Sequence, residues 1–392
     1  MFDRVLILSV SIGGGHMRAS QALEKAFFQL DAAREVRIVD TLDYINKLFR
    51  KLFLKAYVDV IKSAPGLYGW FYEHFDKPRQ NQGLLNVFEK LNTRPVLKLL
   101  EKVQPDLVIC VHALPAGIIS WLSEKSRVDV PQAIVTTDFD VHAMWLCDHY
   151  EHYFVAMDET KLLLEALGVP ANKVTATGIP IDPVFAESWD KAEARKVLNL
   201  DPDLATILVT GGSLGLGPME QLMRALQQLK TPVQIVAVCG HNEPLKAGID
   251  QIARERPGGS VKMVCIGWTD QMHMYMAAAD LIAGKTGGLT ASEALACGLP
   301  FLVVNPIQGQ EQRNADHLLE ECAAIRCNNL PVLAYKVEQL LGDRERLARM
   351  QANARRLSRP RAAFDIVRKL VEIRAGARSS SPRPAEVVPA PV

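Results

Sequence analysis

Short apolar, β-branched runs alternate with helix-length amphipathic stretches along almost the whole chain, the pattern of parallel βαβ units. The runs fall into two series. The first comprises Val5 to Val10, Val36 to Val39, Leu107 to Val111, Gln132 to Thr137, Tyr153 to Met157 and Val174 to Gly178. The second comprises Thr206 to Thr210, Val233 to Cys239, Val261 to Ile266, Leu281 to Ala283, Phe301 to Val304 and Ala324 to Cys327. A chain of 392 residues, 48% of them hydrophobic, has apolar material for two cores of ordinary domain size. Between the series, Gly178 to Phe185 holds Pro180 and Pro183, which suit a stiff connector better than a packed element. The expectation is an α/β protein of two Rossmann-like domains, residues 1–190 and 191–376, whose parallel sheets face a central cleft. A final helical segment, roughly Val332 to Ala375, could pack back on the first domain, and the Pro- and Ser-rich tail 377–392 is expected to be disordered.

Charge and cysteine usage narrow the function. Lys and Arg total 45 against 44 Asp and Glu, so the chain lacks the global basic field that drives sequence-independent nucleic-acid binding. No nucleic-acid partner is expected. The seven cysteines, at 110, 147, 239, 265, 297, 322 and 327, form no C-x-x-C pair and mostly sit in apolar runs. They read as reduced thiols of a cytoplasmic protein, with neither a disulfide framework nor a metal site. The Val5 to Val10 run is too short to span a bilayer and leads straight into glycines, so the chain is expected to be neither secreted nor membrane-spanning.

Three stretches carry the chemistry. The first apolar run passes into Ser11-Ile-Gly-Gly-Gly-His-Met-Arg-Ala-Ser20 and a helix. There Gly13, Gly14 and Gly15 let the backbone turn tightly and present N–H groups to a phosphate or an approaching substrate. Asp40 lies about where a ribose-binding carboxylate sits in a dinucleotide fold, but Arg18 replaces the third glycine of G-x-G-x-x-G, which weighs against a nicotinamide cofactor. Gly211-Gly212-Ser213 repeats the order of strand, glycine loop and helix in the second series. Further on, Thr286, Gly287 and Gly288 offer amides and a hydroxyl to a diphosphate at a helix N-terminus, with Lys285 adding charge. Glu293 can accept two ribose hydroxyl protons. Gln310, Glu311 and Asn314 supply amides and a carboxylate suited to the hydroxyls of a sugar ring. Together these residues describe a nucleotide-sugar site.

On these motifs the chain resembles the diacylglycerol glycosyltransferases, the family of plant monogalactosyldiacylglycerol synthases and bacterial processive diacylglycerol glucosyltransferases. The resemblance covers most of residues 5 to 330. Its specific parts are Ser11 to His16, Thr137-Asp-Phe-Asp-Val-His-Ala-Met-Trp145 with Tyr153-Phe-Val155, Gly211-Gly-Ser213, Gly284-Lys-Thr-Gly-Gly-Leu-Thr-Ala-Ser-Glu293 and Gly309-Gln-Glu-Gln-Arg-Asn314. It implies a GT-B fold, a UDP-sugar as donor substrate in the C-terminal domain and diacylglycerol in the N-terminal domain. It also implies transfer of galactose or glucose with inversion, and no obligatory metal or cofactor. It makes His16 an acceptor-side catalytic residue, Glu293 the ribose ligand, and Gln310 and Glu311 the sugar-hydroxyl ligands. Gln312-Arg313 places a bulky cation beside those sugar-reading residues, which leaves the sugar's identity open. The enzymes that add N-acetylglucosamine to the lipid-linked peptidoglycan precursor share the two-domain plan, but the Thr137 to Trp145 segment and the Gly-Gly-Gly-His form favour the diacylglycerol enzymes.

An inverting transfer needs a base for the acceptor hydroxyl, and His16, following its glycine loop, has an imidazole in the useful range. The plainer reading is that it satisfies a loop carbonyl. Asp138 and His142, past the end of an apolar run, are alternative bases or could orient His16, although an Asp there is often only a cap. His112 is expected to be structural. His241, Asn242 and Trp268 are expected near the nucleotide, with Trp268 either lining a uracil pocket or packing in the core. From Tyr44 to Ile61 apolar residues keep helical spacing with Arg50, Lys51, Lys55 and Lys62 off the stripe, and an aromatic cluster ends at Tyr72. Residues 44–75 are therefore expected to meet an anionic membrane surface peripherally, on its cytoplasmic face; a helix packed on its own domain is the alternative. The rival functions are a UDP-N-acetylglucosamine 2-epimerase and a non-catalytic nucleotide-sugar-binding protein, and neither explains the basic aromatic segment.

Overall fold

The computed structural model describes residues 1–11, 14–45, 69–70, 72–74, 76, 93–212, 218–255 and 259–380, the last three without their side chains. Most of the 44–75 segment, Ser213 and the tail beyond 380 lie outside the described residues. The first half runs β1 (Phe2–Ser9), α1 (Gly15–Gln29), β2 (Ala33–Asp40), α2 (Arg94–Val103), β3 (Leu107–Cys110), α3 (Ala113–Glu124), β4 (Gln132–Val135), β5 (His152–Val155), α4 (Asp158–Ala166) and β6 (Val174–Ala176). After α5 (Lys191–Val197) come β7 (Ala205–Thr210), α6 (Met219–Leu226), β8 (Val233–Val238), α7 (Glu243–Arg254), β9 (Val261–Ile266), α8 (Met272–Ala278) and β10 (Leu281–Gly284). The chain continues through α9 (Gly288–Ala296), β11 (Phe301–Val304), α10 (Gln310–Glu320), β12 (Ala324–Cys327), α11 (Leu333–Gly342), α12 (Arg344–Leu357) and α13 (Ala362–Ser380). Every apolar run singled out in the sequence is one of these strands.

The strands form two six-stranded parallel sheets, ordered β2-β1-β3-β4-β5-β6 and β12-β11-β10-β7-β8-β9. Helices cover both faces, so β3, β4, β5, β8, β10 and β11 are buried at every residue, which is why they read as continuous apolar runs. The polar residues among them are satisfied in place. Gln234 in β8 accepts from Asp201 N (2.9 Å) and donates to Asp201 O (2.7 Å) and Thr206 Oγ1 (2.8 Å). In each sheet the strand order reverses once, between β1 and β3 and between β7 and β10. Loops leave such a switch point in opposite directions and open a crevice at the carboxyl ends of the strands.

Past the connector, α5 is tied to the second half. Arg195 in α5 donates to Ala278 O (3.0 Å) and Pro202 O (2.7 Å) and pairs with Asp280 (2.7 Å), which also holds Lys191 (2.7 Å). The C-terminal segment is broken rather than continuous. Asp343 accepts from Arg346 N (2.9 Å) and starts α12 as a new helix. Pro360 lies in the break before α13, which extends to Ser380, past residue 376. Ala363, Ile366, Val367 and Leu370 of α13 return to bury themselves with Phe2, Val5 and Phe27 of the first half. The two crossings touch at Gly178, at φ +95, where a Cβ would sit 2.4 Å from Arg359 Cβ, so only glycine fits.

Candidate active site

The first switch point is closed by histidine. Gly14, at φ 78, turns the chain into α1, and His16 follows in the first turn. Its Nδ1 lies 3.0 Å from Val111 O, just past β3, and 3.0 Å from Thr137 Oγ1. A carbonyl only accepts, so Nδ1 carries the proton and Nε2 keeps a lone pair. Burial lowers the His16 pKa to about 4 against the pull of the Val111 carbonyl, so the ring is neutral near pH 7. His112 stands edge-on to it, ring centroids 4.7 Å apart, and its Nδ1 accepts from Leu114 N (3.0 Å) to cap α3.

The second switch point presents the start of α9 directly opposite. A Cβ on Gly15 would lie 4.0 Å from Leu289 Cβ, and a Cβ on Gly288 would lie 2.0 Å from Thr137 O. Gly288 is therefore required for the approach of the two halves as much as for an exposed amide. Glu293, on the same helix, is 4% exposed and faces Arg18 of α1 at 3.6 Å. Burial pushes its carboxyl up to about 7, with Arg18 opposing. Lys285 Nζ pairs with Glu311 Oε1 at 3.3 Å, and Glu311 Oε2 accepts from Ile307 N at 2.8 Å. Thr286 Oγ1 donates to Glu311 O (2.6 Å), and Gln310 stands half-buried in the same first turn of α10.

Asn314 binds the halves together. It is fully buried; its amide nitrogen donates to Asp138 Oδ1 (2.8 Å) and Thr286 O (3.1 Å), and its oxygen accepts from Phe139 N (2.8 Å). Both amide hydrogens are thus committed to the protein, and none is left for a sugar hydroxyl. Asp138 is pushed up to about 6 by burial. Arg313, expected as a bulky cation beside the sugar-reading residues, points to the first half, pairing with Asp76 (2.7 Å) and Asp140 (2.8 Å).

The other expected residues lie as follows. His142 is 2% exposed, and both its nitrogens are engaged: Nδ1 accepts from Met144 N (3.0 Å) and Nε2–H donates to Tyr72 O (2.8 Å). It has no lone pair left to serve as a base. His241 and Trp268 stack face to face (5.6 Å, 13°) at the ends of β8 and β9, with Trp268 53% exposed rather than in the core. Asn242 beside them caps α7 by accepting from Leu245 N (3.0 Å). Gly211 and Gly212 follow β7, with Gly212 at φ +72. Cys110, Cys239 and Cys327 are buried free thiols, whereas Cys322 is exposed. Asp76 and the Val111 carbonyl were not singled out by sequence, whereas Arg18 and Thr137 stood in noted motifs without being given these roles. Among the described residues no His, Cys, Asp and Glu cluster is placed to hold a metal, and no helix is long and apolar enough to cross a membrane.

Comparison with known proteins places this geometry in a family. Residues 16–181 match the monogalactosyldiacylglycerol synthase model, and residues 206–366 match the glycosyltransferase family 28 C-terminal domain. The chain is similar to a processive diacylglycerol beta-glucosyltransferase of Staphylococcus epidermidis, 30% identical over 80% of this chain and 78% of that protein. A Bacillus licheniformis protein of the same name is 28% identical over 94% of both. Among solved structures, Acinetobacter baumannii MurG superposes with a TM-score of 0.63 at 18% identity, covering 94% of this chain and 99% of that one. The S. aureus MnaA–UDP structure gives 0.61 at 16%, covering 97% and 99%. These likenesses are of fold, and the fold is GT-B. With the family models spanning both halves and a 30% identical relative aligned along most of its length, the chain belongs to the diacylglycerol glycosyltransferases.

Proposed function

We propose that this protein transfers a hexose, glucose or galactose, from a UDP-sugar to diacylglycerol with inversion at the anomeric carbon. One observation carries the reading: the neutral His16 of one switch point faces the amide end of α9 at the other, with the halves in contact at Gly288 and Thr137. The relatives' name, and neighbours solved with UDP or UDP-glucose, support the choice of substrates.

In this reading the diphosphate meets the Gly287 and Gly288 amides and Lys285, the ribose meets Glu293, and the sugar hydroxyls meet Gln310 and Glu311. The His241–Trp268 stack offers an aromatic face to uracil. Gly211 and Gly212 border the diphosphate. As the bond from the anomeric carbon to the diphosphate oxygen breaks, the α9 dipole and Lys285 stabilise the charge that develops. The acceptor hydroxyl attacks from the opposite face, and its proton passes to His16 Nε2 while Nδ1–H stays bonded to Val111 O. A base with a pKa of about 4 suffices because the hydroxyl turns strongly acidic only as the new C–O bond forms. Asn314, Asp138 and His142 act as structural partners around this centre. The segment 44–75 meets the anionic, cytoplasmic surface of the membrane peripherally; Trp70, 55% exposed, supports this.

The test is to incubate the protein with UDP-glucose, UDP-galactose or UDP-N-acetylglucosamine, with and without diacylglycerol in anionic liposomes, and to read lipid and UDP by mass spectrometry. A glycosyl-diacylglycerol is expected from at least one UDP-hexose. No glycolipid from any donor, with UDP binding demonstrated, would exclude diacylglycerol as acceptor.

A further inference from the structure

We propose that Arg313 is a positioning residue for the transfer: it holds the first turn of α10 against the half that carries His16. The proposal rests on the functional reading above in taking Gln310 and Glu311 as the sugar-reading residues. Gln310 and Arg313 are three apart on one helix, so they move together. The Arg313 fork divides between two carboxylates of the first half, Nη2 to Asp76 Oδ2 (2.7 Å) and Nη1 to Asp140 Oδ2 (2.8 Å), and its guanidinium lies 5.2 Å from the Tyr72 ring centre. Each partner is itself tied to the loop after β4. Asp76 Oδ1 accepts from Ala143 N (2.8 Å), and Tyr72 O accepts from His142 Nε2 (2.8 Å).

The Tyr72 ring also covers Gly309, the residue before α10. Gly309 is at φ +89, and a Cβ there would lie 2.7 Å from Tyr72 Cγ. One planar cation thus joins three groups of the acceptor half to the turn that reads the sugar. An ammonium on a flexible stem cannot divide its donors in the same fixed way. Without the cation, Asp76 and Asp140 lose their ion pairs to α10, and the attraction that holds this turn against the first half is gone. Donor binding, by contrast, uses groups of the second half and needs no such closure.

The experiment measures UDP affinity by calorimetry, and UDP-hexose turnover both to diacylglycerol and to water, for wild type, Arg313→Ala, Arg313→Lys and Asp76→Asn. Arg313→Ala should lower kcat on both acceptors about tenfold, the combined effect of two partly exposed ion pairs and a ring contact, and leave UDP affinity within about twofold. Arg313→Lys should recover part of the loss. Adding Asp76→Asn to Arg313→Ala should cost less than the two effects multiplied, because both changes remove the same ion pair. A kcat for Arg313→Ala within about twofold of wild type, or a UDP affinity falling in step with kcat, would overturn the proposal. A wild-type protein that hydrolyses the donor but forms no glycolipid would remove diacylglycerol alone, since the variant ratios on hydrolysis still decide the role of Arg313.

Discussion

Replacing Glu293 by Gln should stabilise the protein at alkaline pH while weakening its hold on the nucleotide. The carboxyl is buried, and Arg18, its cationic neighbour, stands 3.6 Å away with 37% of its side chain exposed. Burial therefore wins, and the pKa rises from 4.5 to about 7. The folded state binds this proton more tightly than the unfolded chain. Below the lower value both states are protonated and burial carries no ionic penalty. As pH rises the unfolded chain ionises first, and stability declines until the folded carboxyl ionises near pH 7. Above that the penalty is constant; about 2.5 pH units at 1.36 kcal/mol each is roughly 3 kcal/mol. Gln keeps the shape and cannot ionise, but burying its amide and releasing Arg18 each cost about 0.5–1 kcal/mol, leaving a net gain of about 1–2 kcal/mol at pH 8. For a half of this size that is about 2–8 °C in Tm. At pH 5 the penalty has shrunk below about 1 kcal/mol, so the gain should vanish or reverse. Thermal melts followed by circular dichroism at both pH values read this directly, and calorimetry should show UDP affinity reduced about tenfold by loss of the charged acceptor. An equal Tm change at both pH values, or a loss at pH 8, would refute the reasoning.

Four further outcomes follow from the same geometry. His16→Ala should lower turnover by roughly 10²–10⁴ with UDP affinity within about twofold, whereas His142→Gln should cost less than about tenfold, as measured by steady-state kinetics. Wild-type kcat should stay flat from about pH 8 down to about pH 5.5 and fall only as His16 begins to protonate toward its pKa of about 4, which a pH–rate profile reads. Asn314→Ala should destabilise by about 2–4 kcal/mol in denaturant melts, because Phe139 N and Asp138 are left without their buried partner. Gly288→Ala forces a Cβ to within 2.0 Å of Thr137 O, so small-angle scattering should show the halves further apart and turnover should fall at least about tenfold.

The strands were legible because a parallel sheet buries both faces, and burial writes itself as an unbroken apolar run. Their ends were less so. Val10, Thr136, Thr137 and Met157 were read as strand, yet β1, β4 and β5 end before them. The first three are nonetheless as buried as strand residues. The glycine loops and Glu293 were visible since backbone turns and helix starts leave local signals. Pairings between the halves were not. Asp138 and Asn314 are 176 residues apart, and no pattern distinguishes an amide that reads a sugar from one that latches two domains. The same holds for Arg313, whose charge was plain but whose partners Asp76 and Asp140 come together only on folding. The proton position on His16 is set by the carbonyl of Val111, a group every residue has and no sequence can flag.

A single displacement with one base is tested most directly by the anomeric configuration of the product. UDP-hexose donors are α-linked, so proton magnetic resonance of the purified glycosyl-diacylglycerol should show a β-linkage. An α-linked product would contradict direct attack by the acceptor across this cleft.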